Sequence, residues 1–168
     1  MPELELAVSA TTRERRPGER DGREYWFLSE AAFDDRIERG DFLEWVELDW
    51  GPRSGTLHSE IERIQAAGRV PLLDLETEGA LRVKRRVPGA VTVFVKAPSF
   101  EENERRLRAR GTEDEREIEK RLAVARAQLE QQDEFDHLVV NDDFERAVDE
   151  LKAIIRAEMN AVGTISRP

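Results

Sequence analysis

The stretch from residue 9 to residue 25 concentrates hydroxyl, guanidinium and phenol groups, which are side chains that bind phosphate. Ser9 opens it, Arg13 and Arg16 precede a Pro-Gly turn, and Tyr25 closes it. Guanidinium groups donate paired hydrogen bonds to phosphate oxygens and stay charged at every relevant pH. The stretch follows an apolar run, so we expect it at a strand end, where open α/β sheets bind ligands. Because the chain holds 23 arginines, a solvated surface loop is the alternative interpretation.

No phosphate-binding loop of the form G-x-x-x-x-G-K-[ST] can be drawn in the 168 residues. The four lysines follow Val, Val, Glu and Leu, so no Gly-Lys dipeptide occurs. Such a loop cradles phosphates with backbone N–H groups and its lysine. Any phosphate chemistry that these residues perform therefore depends on arginine.

The composition indicates one domain of an intracellular protein. A chain of 168 residues is long enough to bury a hydrophobic core. It contains no cysteine, which excludes a disulfide framework and a thiolate metal site. No signal-peptide pattern or membrane-length apolar run occurs, so we expect a cytoplasmic protein that does not bind membranes. The net charge of -10 disfavours nucleic-acid binding.

Alternating apolar runs and amphipathic stretches predict an α/β fold. Four short apolar runs are typical of buried parallel strands, at residues 4–8, 70–75, 90–95 and 137–140. Helical spacing predicts helices at 30–39, 99–110, 113–132 and 144–159. Thr112 with Glu115, and Ser99 with Glu102, match the capping-box pattern at two helix starts. Short strands at 25–28 and 44–48 around the first helix indicate a small inserted lobe.

Several short motifs occur in the order, and nearly with the spacing, of one known family. They are Ser-Ala-Thr-Thr-Arg at 9–13, Arg-Pro-Gly-Glu at 16–19, Asp-Gly at 21–22, Tyr25, Phe-Leu-Glu-Trp at 42–45, Gly-Thr at 55–56, Arg-Ala-Arg-Gly-Thr at 108–112 and Val-Asn-Asp-Asp at 140–143. Over residues 5 to 155 the sequence resembles guanylate kinase. The resemblance implies a P-loop-kinase-like parallel sheet flanked by helices, with a small inserted GMP-binding α/β lobe and a helical lid.

The resemblance also implies how the chain is organised and what it binds. Residues 1–168 would form a single guanylate-kinase-like domain, with the GMP-binding lobe at 9–69, the core at 70–109 and 134–160, and the lid at 110–133. The family transfers the terminal phosphoryl group of ATP, bound with Mg2+, to GMP in purine nucleotide metabolism. Its first strand, P-loop and first helix have no counterpart in these residues, so we expect turnover to be impaired.

Three residues match the family's contacts to guanine. The Watson–Crick edge of guanine offers two adjacent donors beside an acceptor, which suits a carboxylate and a hydroxyl. Glu44 stands at the position of the family's guanine-binding carboxylate, and Thr56 at that of a guanine-binding hydroxyl. The alternatives are a surface glutamate and a helix N-cap. Glu76 lies where the family usually has a shorter carboxylate, and it can still accept from the guanine amine.

The resemblance implies that Arg13, Arg16 and Tyr25 bind the monophosphate, with Ser9 at the mouth of the site. Arg16 is also assigned to catalysis, because in the family it bridges the acceptor and donor phosphates. Ser54 occupies the position of the family's second phosphate-binding tyrosine, so its hydroxyl reaches several ångströms less far. The arginine that precedes it is a candidate substitute.

On the donor side the resemblance implies lid arginines, an adenine contact and a metal ligand. Arg110 and Arg121 match arginines that stabilise the charge of the transferred phosphoryl group. The alternative for Arg121 is an ion pair with Glu117. Asn141 matches the adenine contact, against the alternative of a cap for the next helix. Asp74 closes an apolar strand as a Walker B acid would, so it is expected to hold Mg2+, directly or through water; a turn residue is the alternative.

Two functions of different classes follow from these residues. The first is guanylate kinase, with ATP and GMP as partners. The alternative is a catalytically silent kinase-like module that binds GMP or a phosphorylated peptide through Arg13, Arg16 and Tyr25. In either case a parallel sheet without the family's first strand leaves Val8 and Leu72 facing a gap, so we expect self-association through an open sheet edge.

Overall fold

The structure is a computed structural model that describes residues 1–47, 51–109 and 114–165, with side chains described through residue 161. Helices alternate with short strands, and three strand pairs are parallel, so the α/β class expected from the sequence is confirmed. The chain divides into two compact units, Met1–Arg86 and Val87–Pro168. The single-domain organisation stays a prediction.

The described part of the first unit forms two sheets. Its elements are β1 (Leu4–Leu6), β2 (Ala10–Thr11), β3 (Trp26–Phe27), α1 (Glu30–Glu38), β4 (Phe42–Glu47), β5 (Arg53–Leu57), α2 (His58–Ala66), β6 (Val70–Leu72) and α3 (Thr77–Arg86). β1 and β6 form a parallel pair in which Leu6 lies opposite Leu72. The second sheet has the order β3-β2-β5-β4 and corresponds to the inserted lobe expected from the sequence.

A small core, largely aromatic, closes the second sheet against α1. Ala10, Phe33, Phe42 and Leu57 are buried together, and two partly buried tryptophans pack against them. The rings of Phe33 and Phe42 stack with their centroids 4.4 Å apart. Each large apolar side chain buried in this way contributes about 1.5–3 kcal/mol to stability. The lobe therefore has a core of its own that can hold β4 and β5 in place.

The described part of the second unit contains a parallel strand pair with helices. Its elements are β7 (Val93–Lys96), α4 (Phe100–Ala109), α5 (Glu115–Glu130), a 3-10 helix (Gln132–Glu134), β8 (His137–Val140) and α6 (Phe144–Ile165). Val93 lies opposite His137 and Lys96 opposite Val140. Within the described ranges, no helix has the length and apolar character needed to cross a bilayer.

One helix start differs from the predicted pattern. Asp114 caps α5 in a reciprocal capping box with Glu117, whereas the sequence predicts Thr112 with Glu115, and Thr112 lies outside the described residues. Two three-residue spacings overlap in Thr-Glu-Asp-Glu-Arg-Glu, so the pattern alone does not choose between them. For α4 the Ser99 half of the predicted box is present, because the Ser99 hydroxyl accepts a hydrogen bond from Glu102 N–H at 3.2 Å. The Glu102 carboxylate accepts instead from Arg105 and Arg106.

Strand boundaries differ as well. β6 ends at Leu72 rather than at residue 75, and the strand predicted from residue 90 begins at Val93. The sequence does not predict β2 or β5. Neither strand shows apolar alternation, because β2 is two residues long and β5 reads Arg-Ser-Gly-Thr-Leu.

Apolar side chains on the parallel strands are exposed. Leu6 is 57% and Leu72 is 38% exposed in the first unit, and Val95 is 52% exposed in the second. Among the described residues β6 pairs only with β1, and β7 only with β8. Each of these two parallel pairs therefore has unpaired backbone groups along its outer edges, which is a geometry that accepts a further strand.

Candidate active site

A cavity of about 270 Å3 lies in the first unit. It is lined by residues that follow β1 and β6 and by residues of β4 and β5. Six of the residues singled out from the sequence line it, namely Ser9, Tyr25, Glu44, Ser54, Asp74 and Glu76. Leu6, Ala7, Glu24, Val46 and Leu75 complete the lining. Residues up to 70 positions apart in sequence, from Leu6 to Glu76, thus meet at one polar cavity with apolar patches.

Two hydrogen bonds fix the chain at the end of β1, where Ser9 enters the cavity. The carbonyl of Ser9 accepts from Trp26 N–H at 2.9 Å, and Val8 N–H donates to Glu60 Oε1 at 3.1 Å. Glu60 is only 3% exposed and also pairs with Arg63 at 2.7 Å. This buried carboxylate is therefore a structural support for the loop and not a free acid.

A β-bulge in β4 sets the position of Glu44. The register shifts between Phe42 and Glu44, so that Glu44 pairs with Thr56 of β5. Bulges re-aim side chains and are frequent beside functional sites. At Gly55, on the partner strand, an added Cβ would stand 2.6 Å from the carbonyl oxygen of Glu44. A glycine is therefore required where β5 passes the bulge.

Glu44 and Thr56 present orphaned polar atoms. Glu44 is 2% exposed and Thr56 is 1% exposed, and neither Glu44 Oε1 nor Thr56 Oγ1 has a hydrogen-bond partner among the described residues. Leaving a buried polar group unpaired costs about 1–3 kcal/mol, so native proteins retain few such groups. Glu44 lines the cavity, so the edge of a polar ligand there would satisfy its carboxylate. Thr56 lies opposite Glu44 on β5 but does not belong to the lining.

The alternatives considered for these two residues do not hold. Glu44 is buried, so it is not a surface glutamate. Leu57 is the N-cap of α2 and makes no side-chain capping bond, so Thr56 is not the cap.

Burial raises the pKa of Glu44, while the neighbouring Thr56 and the positive charge of Arg82 oppose the rise. Thr56 Oγ1 is thus close enough to favour the charged form, although the two side chains make no hydrogen bond of good geometry. A buried carboxylate with a raised pKa beside a cavity is a frequent property of binding and catalytic sites.

The two arginines of the phosphate motif belong to the loop beside the cavity but not to its lining. Arg13 lies over the ring of Tyr25, 5.3 Å from its centroid, and pairs with Glu19 at 2.7 Å. The other oxygen of Glu19 accepts from Arg16 N–H at 2.7 Å. These two hydrogen bonds hold the pKa of Glu19 below its usual range. Glu19 therefore organises the segment that carries both predicted phosphate ligands.

Glu19 and Glu24 are the site residues that the sequence did not reveal. Glu24 lines the cavity, and its Oε2 accepts from Arg20 N–H at 2.6 Å. Acids within an arginine-rich loop look like surface ion-pair partners. For Glu19 the available signals were its three-residue spacing from Arg16 across a Pro-Gly turn and its place at the end of the Arg-Pro-Gly-Glu motif.

Ser54 lies in the cavity lining, but Arg53 does not. The Arg53 guanidinium donates to Asp34 at 2.5 Å and to Glu30, and it stacks on Phe33 at 4.8 Å from the ring centroid. Arg53 therefore joins β5 to α1 instead of replacing a phosphate-binding tyrosine. The Ser54 hydroxyl donates to Ala10 O at 3.3 Å.

Of the predicted lid arginines, the structure describes one. Arg121 lies half-buried in α5, and Arg110 lies outside the described residues. Glu117, the alternative ion-pair partner of Arg121, accepts from Asp114 N–H at 3.0 Å. The role of both arginines in phosphoryl transfer stays a prediction.

Asn141 follows β8 in the second unit and is held through its backbone. Its N–H donates to Lys96 O at 2.7 Å, and its carbonyl accepts from Arg106 at 2.8 Å. The cap of α6 is Asp143, whose carboxylate accepts from Arg146 N–H at 2.9 Å. The alternative reading of Asn141 as the helix cap is therefore wrong, and its role as an adenine contact stays a prediction.

Asp74 follows β6 and lines the cavity. Across the described ranges, no group of three or more His, Asp or Glu side chains is arranged to hold a metal ion. Mg2+ commonly takes only one or two carboxylates, with water and substrate phosphates completing its coordination. A single aspartate at the cavity therefore fits a nucleotide-borne Mg2+ better than a metal site built from protein alone.

The matching family model and the relatives named here are all guanylate kinases. The family model for guanylate kinase matches residues 3–158. The chain is 46% identical over 157 residues to a guanylate kinase of Chromobacterium violaceum, covering 94% of this chain and 74% of the relative. It is 47% identical over 156 residues to one of Rubrobacter xylanophilus, covering 93% and 81%.

A solved crystal structure of a guanylate kinase resembles the structure of this chain. The crystal structure of guanylate kinase from Anaplasma phagocytophilum matches with a TM-score of 0.78 at 28% identity, covering 94% of this chain and 77% of that one. Its P-loop kinase fold confirms the fold inferred from the sequence. With the family model spanning nearly the whole chain, this protein belongs to the guanylate kinase family.

Proposed function

We propose that this protein phosphorylates GMP to GDP with ATP, in the purine nucleotide metabolism of the cytoplasm. In this reaction an oxygen of the GMP phosphate attacks the terminal phosphorus of ATP, and the bond to the bridging oxygen breaks to release ADP. The observation that carries the proposal is the buried Glu44 carboxylate, whose Oε1 has no partner among the described residues and which lines the cavity.

The chemistry of guanine fits these orphaned groups. The carboxylate of Glu44 accepts from N1–H and from the exocyclic amine, while the Thr56 hydroxyl donates to O6. Glu76 is a second carboxylate in the cavity lining and a candidate to accept from the amine. Adenine presents an acceptor where guanine presents N1–H, so an ionised Glu44 repels it.

The monophosphate is assigned to the hydroxyl groups of the cavity lining and to the arginines of the neighbouring loop. Tyr25, Ser54 and Ser9 line the cavity, and Arg13 and Arg16 are held beside them by Glu19. Arginine guanidinium groups and hydroxyls supply the donors that a phosphate dianion needs. Arg16, whose side chain is exposed, is assigned to bridge the two phosphates during transfer.

On the donor side we assign ATP to Arg110, Arg121 and Asn141. The two arginines would stabilise the charge of the transferred phosphoryl group, and Asn141 would contact adenine. Asp74 would help hold Mg2+, which supplies charge neutralisation between the phosphates when bound. The alternative of a silent binding module has no support in the comparisons, because the relatives and the solved structure named above are guanylate kinases.

Glu44→Gln should remove guanine selectivity without unfolding the protein. One acceptor oxygen becomes an amide donor that faces the guanine edge, so the preference for GMP over AMP should fall by about 1–3 kcal/mol. Calorimetric titration with both nucleotides measures this. Glu47→Gln, an exposed change on the same strand, should leave the preference unchanged. A Glu44→Gln protein with the parent's selectivity would contradict the assignment.

Arg13→Ala should weaken every nucleoside monophosphate alike. The guanidinium is assigned to the phosphate and not to the base, so GMP and AMP should each lose about ten- to a hundredfold in affinity. Calorimetric titration with GMP and AMP measures both losses. The control is Arg15→Ala, a change at an exposed residue of the same loop. A loss confined to GMP would show that Arg13 acts on the base.

The GMP-to-AMP affinity ratio should fall as the pH is lowered. Only the ionised form of Glu44 accepts both guanine donors, and burial raises its pKa above 4.5. The ratio is therefore highest above the raised pKa and is lost as the pH falls through it. Taking the ratio cancels the titration of the phosphate, which the two ligands share. A ratio that stays constant as the pH is lowered from about 8 to the range in which an ordinary glutamate is half protonated would contradict this, because a carboxyl group with a raised pKa is mostly protonated there.

A further inference from the structure

The first turn of α3 packs against Glu44 more closely than a side chain would allow. Gly79 is the third residue of this helix and is buried. A Cβ at this position would stand 2.8 Å from Glu44 Oε2 and 3.4 Å from Glu44 Cδ. Real Cβ atoms essentially never lie 2.8 Å from another heavy atom. The helix therefore reaches the carboxylate only because residue 79 has no side chain.

Backbone conformation gives no other reason for a glycine here. Gly79 does not belong to the glycines with positive φ, so any residue could adopt its conformation. Glycine is also the least favourable residue in a helix apart from proline. The close approach to Glu44 is the feature of this position that requires it.

A hydrogen bond from Arg82 to the backbone of β4 holds α3 in this position. Arg82 lies three residues after Gly79, and its Nη1 donates to Trp45 O at 2.6 Å. Its Nη2 donates to Glu78 at 2.5 Å. Trp45 directly follows Glu44 in β4, so the helix is bonded to the backbone of the strand that carries the buried carboxylate.

We propose that Gly79 is a positioning residue that determines base specificity, because the bare helix backbone at this point fixes the direction of the Glu44 carboxylate. Gly79 does not contact the base and acts through Glu44. The inference rests on the proposed function, since it concerns the same cavity.

A methyl group at residue 79 should displace the carboxylate and not the helix. The conflicting atom, Oε2, is at the far end of a flexible side chain, and Oε1 has no partner among the described residues to hold it. The helix, in contrast, is held by Arg82. We therefore expect Gly79→Ala to keep the fold, with a more stable α3, while the carboxylate loses its alignment with the base.

Gly79→Ala is tested by calorimetric titration with GMP, IMP and AMP. IMP keeps the N1–H of guanine but lacks the amine, so the GMP-to-IMP ratio reports the second hydrogen bond. We expect GMP to bind about ten- to a hundredfold more weakly, as for the loss of a hydrogen bond to a charged group. The GMP-to-IMP ratio should fall below that of the parent protein, with no loss of melting temperature. Arg85→Ala, an exposed change on the same helix, should alter neither.

Glu44→Asp supplies a second test, because the shorter side chain leaves room for the methyl group. In that background Gly79→Ala should change GMP affinity by less than about threefold, which a double-mutant cycle reads as coupling. Equal penalties in both backgrounds would overturn the inference.

Three further outcomes distinguish a failure of the inference about Gly79 from a failure of the proposed function. A folded Gly79→Ala protein with the parent's GMP-to-IMP ratio would overturn the inference alone. A Gly79→Ala protein that fails to fold would contradict the expectation that the carboxylate gives way. A parent that binds GMP no more tightly than AMP would overturn the proposed function, and the inference with it.

Discussion

A protein made of the 168 residues alone should phosphorylate GMP several orders of magnitude more slowly than a guanylate kinase that carries a P-loop. The sequence contains no Gly-Lys dipeptide, so the donor phosphates lack the backbone N–H groups and lysine of such a loop. Arg16, Arg110 and Arg121 would then stabilise the transition state unaided. For scale, a single donor to a developing oxyanion contributes about 100- to 1000-fold.

An ADP-release assay on rigorously purified protein, run beside a family member with the motif, measures this difference. Arg16→Ala serves as the control for contaminating kinase, because activity that belongs to this chain must respond to it. Ordinary kinase turnover that disappears with Arg16→Ala would show that the arginines suffice, and would contradict the expectation.

A strand added to the open edge of a parallel pair should raise the melting temperature of the chain by about 6–20 °C. Among the described residues β6 and β7 each pair on one side only, and Leu72 and Val95 are partly exposed beside these edges. Completing the backbone pairing and burying several such side chains contributes about 3–5 kcal/mol. In a domain of this size each kcal/mol shifts the melting temperature by about 2–4 °C.

The comparison uses the 168-residue protein and a version that carries an N-terminal strand, glycine-rich loop and helix from a family member. A matched extension of the same length in Gly and Ser controls for the added chain. Thermal unfolding gives the melting temperatures, and light scattering reports self-association, which we expect for the shorter protein. A monomeric short protein that is as stable as the extended one would contradict this account.

The class of fold and part of the cavity lining could be predicted from the sequence for a physical reason. Parallel strands are often short apolar runs, so β1, β6, β7 and β8 were located to within a few residues. The burial expected for them is wrong, because several of their apolar side chains are exposed. Hydroxyls and carboxylates at the ends of such strands meet at one edge. That placement brought Ser9 and Asp74 to the same cavity.

Features that depend on contacts across the chain could not be read in the same way. β5 has no apolar alternation, and the bulge that aims Glu44 leaves no mark in the pattern of β4. The role of Glu19 comes from its ion pair with a loop arginine. The role of Gly79 comes from its close approach to the Glu44 carboxylate. Nothing local distinguishes them from an ordinary surface acid and an unfavourable helix residue.

Calorimetric titration of the unmodified protein with GMP and with AMP tests the central claim most directly, since it asks whether the cavity around Glu44 recognises guanine. The account predicts that GMP binds at least about tenfold more tightly than AMP near pH 7.5, the effect of one hydrogen bond to a charged group. Equal affinities for GMP and AMP would contradict it.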